Sequence, residues 1–326
     1  MFRSMAGTAV VGVFLATAPL FSWACATCGC TLSSDSAMGY SADAGWRLSV
    51  EYDYQHQDQL RQGTRTASGV PDGNELERET LSRYFTVDLH YSPTADWNID
   101  LKVPYVQRTH STYGAYDSTA PLAQLSSSRS SSVGDIKLIG SYQGILAQHN
   151  LGMQLGVKLP TGRYGTSIPF NSGPADGTPL DASLQPGSGS TDLILGAYFY
   201  QAISRSFNVI INGQFQGAVK QKLDQPGHDY RPGNAATLNV GLRYDLNPRW
   251  VPQLQLNLLH KSADRGALAD IPDTAGTVAY LSPGLTARVL PKLHVFGFVQ
   301  LPIYSNLDGY QLFAQFTVSV GASYGF

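Results

Sequence analysis

From Gln311 to the last residue the chain changes solvent at every second position. Leu312, Ala314, Phe316, Val318, Val320, Ala322, Tyr324 and Phe326 share one parity, while Gln311, Gln315, Thr317, Ser319 and Ser323 share the other. Successive side chains of a β-strand point to opposite faces, so this segment reads as a strand with oil on one side and water on the other. The pattern recurs upstream. Leu254, Leu256 and Leu258 oppose Gln253, Gln255 and Asn257; Leu238, Val240 and Leu242 oppose Asn239, Arg243 and Asp245; Val209, Ile211 and Phe215 oppose Asn208, Asn212 and Gln214. A sheet that faces lipid must pair every backbone N–H and C=O, and an open sheet has two unpaired edges, so the physics demands closure into a barrel.

Strands are expected near 44–60, 76–92, 97–109, 131–146, 149–161, 188–204, 206–221, 233–247, 250–263, 275–290, 292–304 and 310–326. Their connections alternate. Short ones fall at 92–96, at Ala147-Gln148, Ser204-Arg205, 247–249 and Pro291-Lys292; long ones, rich in Gly, Ser, Asp and Pro, include 110–130 and 162–187. An even strand number, short periplasmic turns, long external loops and both termini on the periplasmic side are the habits of bacterial outer-membrane barrels. The expected fold class is therefore all-β, a transmembrane antiparallel β-barrel of about 12 strands in a Gram-negative outer membrane. Trp46, Trp97 and Trp250 sit at the strand ends this topology calls periplasmic, each on the lipid-facing parity, where aromatic girdles belong. Two places fit less well: Arg83 shares parity with Phe85 and Val87, and Phe296 and Phe298 share parity with His294 and Gln300.

The first residues carry an export signal. Arg3 precedes an apolar run from Ala9 to Phe21, too short to span a bilayer as a helix, and Ser22, Trp23 and Ala24 place small residues before Cys25. The expected organisation is a signal peptide at 1–24, a periplasmic segment at 25–43 and the barrel at 44–326. Charged residues make up 14% of the chain and the net charge is −2, so there is no basic field for nucleic acid.

The polar parities place Glu51, Asp53, Asp88, His90, Asp100 and Lys102 inside the first three strands, and Asp135, Lys137, Lys158, Asp192 and Arg243 further along. Both signs line the wall, which suits either a narrow mixed-charge passage or a lumen plugged by its own ion pairs. The 162–187 loop suits either an inward constriction or a mobile external loop. Cys25, Cys28 and Cys30 form a CxxCxC cluster at the expected mature start. A disulfide between two of them leaves one thiol over; a soft ion such as Cu(I) or Zn is the alternative, and lipidation of Cys25 is disfavoured by the residues before it. His260 and Ser262, two apart on one face, are the nearest thing to a lipid-hydrolase pair, but Lys261 stands between them and no third partner is evident.

Three phrases stand out: Val133-Gly134-Asp135-Ile136-Lys137-Leu138, Gly156-Val157-Lys158-Leu159-Pro160-Thr161-Gly162 and Gln185-Pro186-Gly187-Ser188-Gly189-Ser190-Thr191-Asp192. They resemble, in this order, the motifs of a transporter-like outer-membrane family, the MetA-pathway phenol degradation family. The resemblance covers roughly 45–326 and implies location and barrel fold more than any reaction. The leading functional expectation is passage of a small solute. Lipid surrounds the barrel, and the barrel-assembly machinery is expected to engage the C-terminal strand ending in Phe326. The alternative is a barrel-anchored periplasmic protein whose CxxCxC segment binds metal or a redox partner, and an enzyme is not expected.

Overall fold

The structure, a computed structural model, describes residues 44–326 apart from Leu246 and Pro248. Its strands are β1 (Gly45–Gly63), β2 (Arg65–Thr66), β3 (Glu75–Ser92), β4 (Trp97–Ala115), β5 (Ser126–Val133), β6 (Ile136–Tyr142), β7 (Leu151–Leu159), β8 (Ser190–Ala202), β9 (Phe207–Gln221), β10 (Asp224–Gln225), β11 (His228–Asp229), β12 (Ala235–Tyr244), β13 (Trp250–Lys261), β14 (Gly276–Leu290) and β15 (Leu293–Gly325). The one helical piece among the described residues is a 3-10 turn at Ala182–Leu184.

Each large strand pairs antiparallel with the next, and β15 returns to β1, so the sheet meets itself. β5 and β6 share one place in the circle, both lying on β4. β15 occupies two places: Leu293–Leu307 pairs with β14, the chain reverses near Gly309 at φ 60°, and Leu307–Gly325 pairs with β1. Eleven positions are thus filled by successive strands, one of which folds back as a hairpin, and the wall has twelve staves. The beginning of β1 and the end of β15 lie together, joined by Trp46 N–H donating to the Phe326 carbonyl, at the end of the barrel that carries the short turns.

The two faces separate as period-2 patterning demands. On β1 the even residues Leu48 and Val50 are exposed outward, while Ser49, Glu51, Asp53 and Gln55 are buried inward. Outward leucines such as Leu155, 61% exposed, form a band that only hydrocarbon would cover. At the short-turn end this band is bounded by rings: Trp46 stacks on Tyr91 at 4.2 Å, Trp97 meets Tyr142 at 4.8 Å and Phe207 meets Tyr244 at 5.1 Å. At the other end Tyr52 meets Phe85 at 4.8 Å. Beyond that pair the outward residues turn polar. His56 bonds Glu79 at 3.2 Å, and Arg83 lies between Tyr54 and Gln107 in the register. Arg83 therefore keeps its outward parity because β1, β3 and β4 run on past the apolar band.

The structure corrects three readings of the sequence and answers a fourth that was open. The fourth stave starts at Ser126 rather than 131, in a serine-rich stretch with no apolar face to betray it. The connection expected at Ala147-Gln148 runs from 143 to 150, because β6 ends at Tyr142 and Gln143 turns to the Ala95 carbonyl. The alternation from Gln311 breaks near 315–316: Gln55 pairs with Thr317 but Gln57 with Ala314, a bulge that turns Ala314 to the interior. A second shift, between Gln57 and Gln59, sets Phe313 opposite Gln59, and Phe313 is buried against Val278, Tyr280 and Leu307. Finally, Phe296 and Phe298 do point inward. They lie over glycines of the adjoining staves, since a Cβ on Gly284 would fall 2.1 Å from Phe298 and one on Gly321 2.3 Å from Phe296.

Candidate functional site

The barrel interior is where the predicted polar residues gather. Glu51, Asp53, Asp88, Asp100, Asp135, Lys158 and Asp192 are all buried, and His90, Lys102, Lys137 and Arg243 are half-buried on the same inward parity. Neighbouring staves bring them into pairs. Lys102 Nζ donates to Asp88 at 2.8 Å, His90 Nδ1 lies 2.6 Å from Asp100, Ser319 donates to Asp53 at 2.5 Å, and Arg243 stands 3.4 Å from Asp245. Five of the charges form a single row across the wall: the register sets Asp88 opposite Lys102, Lys102 opposite Lys137, Lys137 opposite Lys158 and Lys158 opposite Asp192. Charges this deep in a wall persist when each has a partner to offset its lost hydration.

The three sequence phrases converge on one corner of this interior. Asp135 accepts from Lys158 Nζ at 3.0 Å, Ser188 N–H at 2.9 Å, the Ser188 hydroxyl at 2.9 Å and Gly162 N–H at 3.1 Å. Lys158 also bonds Ser190, Asp192 and Ser188. Thr161 donates to the Gly134 carbonyl and accepts from Ile136 N–H. The glycines are there for space: a Cβ on Gly162 would come within 2.8 Å of the Gly187 backbone, and one on Gly134 within 3.1 Å of the Pro186 carbonyl. The motifs thus knot the two roots of the 162–187 loop to the wall. This job was not visible in the sequence, where the phrases lie far apart.

Held at its roots, the loop turns inward and lies across β4 and β5. Ile168, Phe170, Leu180 and Leu184 bury one another, and Phe170 stands 6.0 Å from the ring of His110, an inward residue of β4. Arg108 donates to the Leu184 carbonyl at 2.5 Å, and Ser128 to the Pro169 carbonyl at 2.9 Å. Of the two readings of this loop, the inward fold is the one the structure adopts. Its sequence signal was weak, because the four apolar residues are spaced without period.

At the short-turn end a cavity of about 580 Å³ opens into the barrel. Arg47, Arg243, Arg288, Lys292, His90 and His294 line it, with Asp245 the one acidic side chain among them. Of these, the sequence had singled out His90 and Arg243 alone.

His260 and Ser262 are not brought together. His260 Nδ1 meets Thr277 at 2.9 Å, while the Ser262 hydroxyl accepts from Asn234 N–H at 2.9 Å. Cys25, Cys28 and Cys30, like the expected signal peptide, fall outside the described residues.

The family described as "Putative MetA-pathway of phenol degradation" matches residues 70–320. Among solved structures, the COG4313 outer membrane channel from Pseudomonas putida F1 superposes with a TM-score of 0.61 at 14% identity, over 90% of this chain and 99% of that one. The β domain of the Bordetella autotransporter BrkA gives 0.48 at 9% over 87% and 100%, and the CymD monoaromatic hydrocarbon channel 0.46 at 12% over 91% and 94%. No curated protein matches the chain. At these identities the likeness concerns the fold alone, that of an outer-membrane β-barrel.

Proposed function

The chain belongs to the MetA-pathway phenol degradation family, and from that premise we propose that it serves as a channel for a small solute across the outer membrane. The observation that carries this reading is the division of faces around a closed wall: polar side chains inward on stave after stave, apolar ones outward. A twelve-stave barrel is wider than the eight-stranded kind whose side chains fill the interior. The pairs Asp88–Lys102 and Asp135–Lys158 hold the wall charges flat, and the inward loop sets the gauge. The residues proposed to line the path are Glu51, Asp53, Asp88, His90, Asp100, Lys102, Asp135, Lys137, Lys158, Asp192 and Arg243. In this reading residues 1–24 are removed on export, and the short turns and both chain ends face the periplasm. The C-terminal strand is the part the assembly machinery handles.

Planar-bilayer recording and liposome swelling test the proposal. Discrete current steps and solute-dependent swelling are expected. Inserted, heat-modifiable protein that gives neither current nor flux would remove it.

A further inference from the structure

We propose that the short-turn mouth of the barrel is a binding site for a small organic oxyanion, a carboxylate or a phosphate ester. This rests on the channel reading and names the class of solute that the channel receives. Deeper in the lumen the lysines of the wall are matched: Lys102 has Asp88 at 2.8 Å, and Lys158 has Asp135 at 3.0 Å and Asp192 at 3.1 Å. The mouth is not matched in this way. Its cavity is lined by Arg47, Arg243, Arg288 and Lys292 against the single acidic side chain of Asp245, and a carboxylate ending the chain at Phe326 still leaves the lining positive. His90, also in the lining, is taken by Asp100 at 2.6 Å.

The cations are brought together from separate staves. Arg47 comes from β1, Arg243 from β12 and Arg288 from β14, and all three act electrostatically on one imidazole, that of His294 on β15. Asp245 cannot answer them all, since it stands 3.4 Å from Arg243 and also accepts from Asn208. The side chains of Arg288 and Lys292 make no hydrogen bond or ion pair with any described residue. Like charges gathered around a concave wall focus their field into it and raise the local concentration of anions. A guanidinium presents paired N–H donors that match the paired oxygens of a carboxylate or phosphate, so the cavity offers geometry as well as charge. Its volume of about 580 Å³ suits a small molecule. The site ends where acidity begins: on the inward face of β1, Arg47 is followed by Ser49 and then by the buried Glu51.

Titration calorimetry on the full protein in an uncharged detergent tests the assignment with succinate and glycerol 3-phosphate, each against an uncharged counterpart, succinamide and glycerol. One or both anions are expected to bind wild type more tightly than the counterpart, the tighter naming the group recognised, and to weaken as potassium chloride is raised. In the double variant Arg243→Gln/Arg288→Gln the affinity is expected to fall at least about tenfold, as for the loss of a charged hydrogen bond. Arg83→Gln, which removes a charge from the outer face, is expected to leave it unchanged. Heat-modifiability verifies that each variant has formed its barrel. Binding of neither anion, counterparts that bind as tightly, equal affinity in wild type and the double variant, or the same loss in Arg83→Gln, each overturns the proposal. Bilayer recording separates this result from the channel reading. Anion binding that depends on Arg243 and Arg288 without current keeps the site and removes the channel, whereas current without such binding removes the site alone.

Discussion

Asp135 and Lys158 meet 3.0 Å apart on neighbouring staves, and through them the two ends of the 162–187 loop are fastened to the wall. Removing the carboxylate in Asp135→Ala leaves a buried ammonium short of a partner and frees Gly162 and Ser188. Breaking such a pair costs about 3–5 kcal/mol. The expected result is a lower unfolding temperature, faster proteolytic cleavage between residues 162 and 187, and a larger unit conductance. Unchanged proteolysis would show that the loop is held by something else.

Phe298 and Gly284 form a second pair whose members need each other. Phe298→Ala is expected to cost about 3–5 kcal/mol, the usual range for emptying a buried aromatic site. Gly284→Ala places a methyl 2.1 Å from the ring and should destabilise the barrel on its own. In the double variant the clash has no target, so its loss should be smaller than the sum of the two. Urea unfolding in detergent, followed by tryptophan fluorescence, completes the cycle.

Leu155 and Arg83 both point outward, yet they answer to different surroundings. Leu155→Arg puts a charge into the hydrocarbon band and is expected to destabilise by roughly 2–4 kcal/mol. Arg83→Leu, above the band, should change stability by less than about 0.5 kcal/mol. Equal effects at the two sites would mean that the band is misplaced.

Asp270, in the loop between β13 and β14, is buried with one carboxylate oxygen lacking a hydrogen-bond partner. Burial, and then the nearby Asp273, push its pKa up to about 8. A carboxyl whose folded pKa is raised costs the fold nothing below its unfolded value of about 3.9, and destabilises it progressively as pH rises from there through the folded pKa. Amide exchange in residues 262–275 should therefore be slower at pH 5 than at pH 9, after correction for intrinsic rates. Asp270→Asn should flatten that dependence.

Much of this architecture was written in the sequence, because lipid imposes a strict rule on alternate residues. Leu254, Leu256 and Leu258 against Gln253, Gln255 and Asn257 obey it on β13, and so does every inward candidate from Glu51 to Arg243. Period-2 reasoning fails where the solvent is no longer oil. The Ser126–Val133 strand, the outward Arg83 and the long tail of β4 lie beyond the apolar band, where no face must be greasy. It fails again inside, where Phe296 and Phe298 bury against glycines and Phe313 against Val278, Tyr280 and Leu307. The knot around Asp135 was hidden for a different reason. Its members are separated by the loop they fasten, and only the three-dimensional register sets Lys158 beside both Asp135 and Asp192.

The Ser49 hydroxyl donates to Ser323 at 2.9 Å across a gap of 274 residues. That seam gives the cylinder an all-or-nothing character. The earliest stave made waits for the latest, and until they zip together two rims of unsatisfied amides remain open to any passing strand. A chain shortened at either rim is therefore not a narrower tube but an adhesive ribbon.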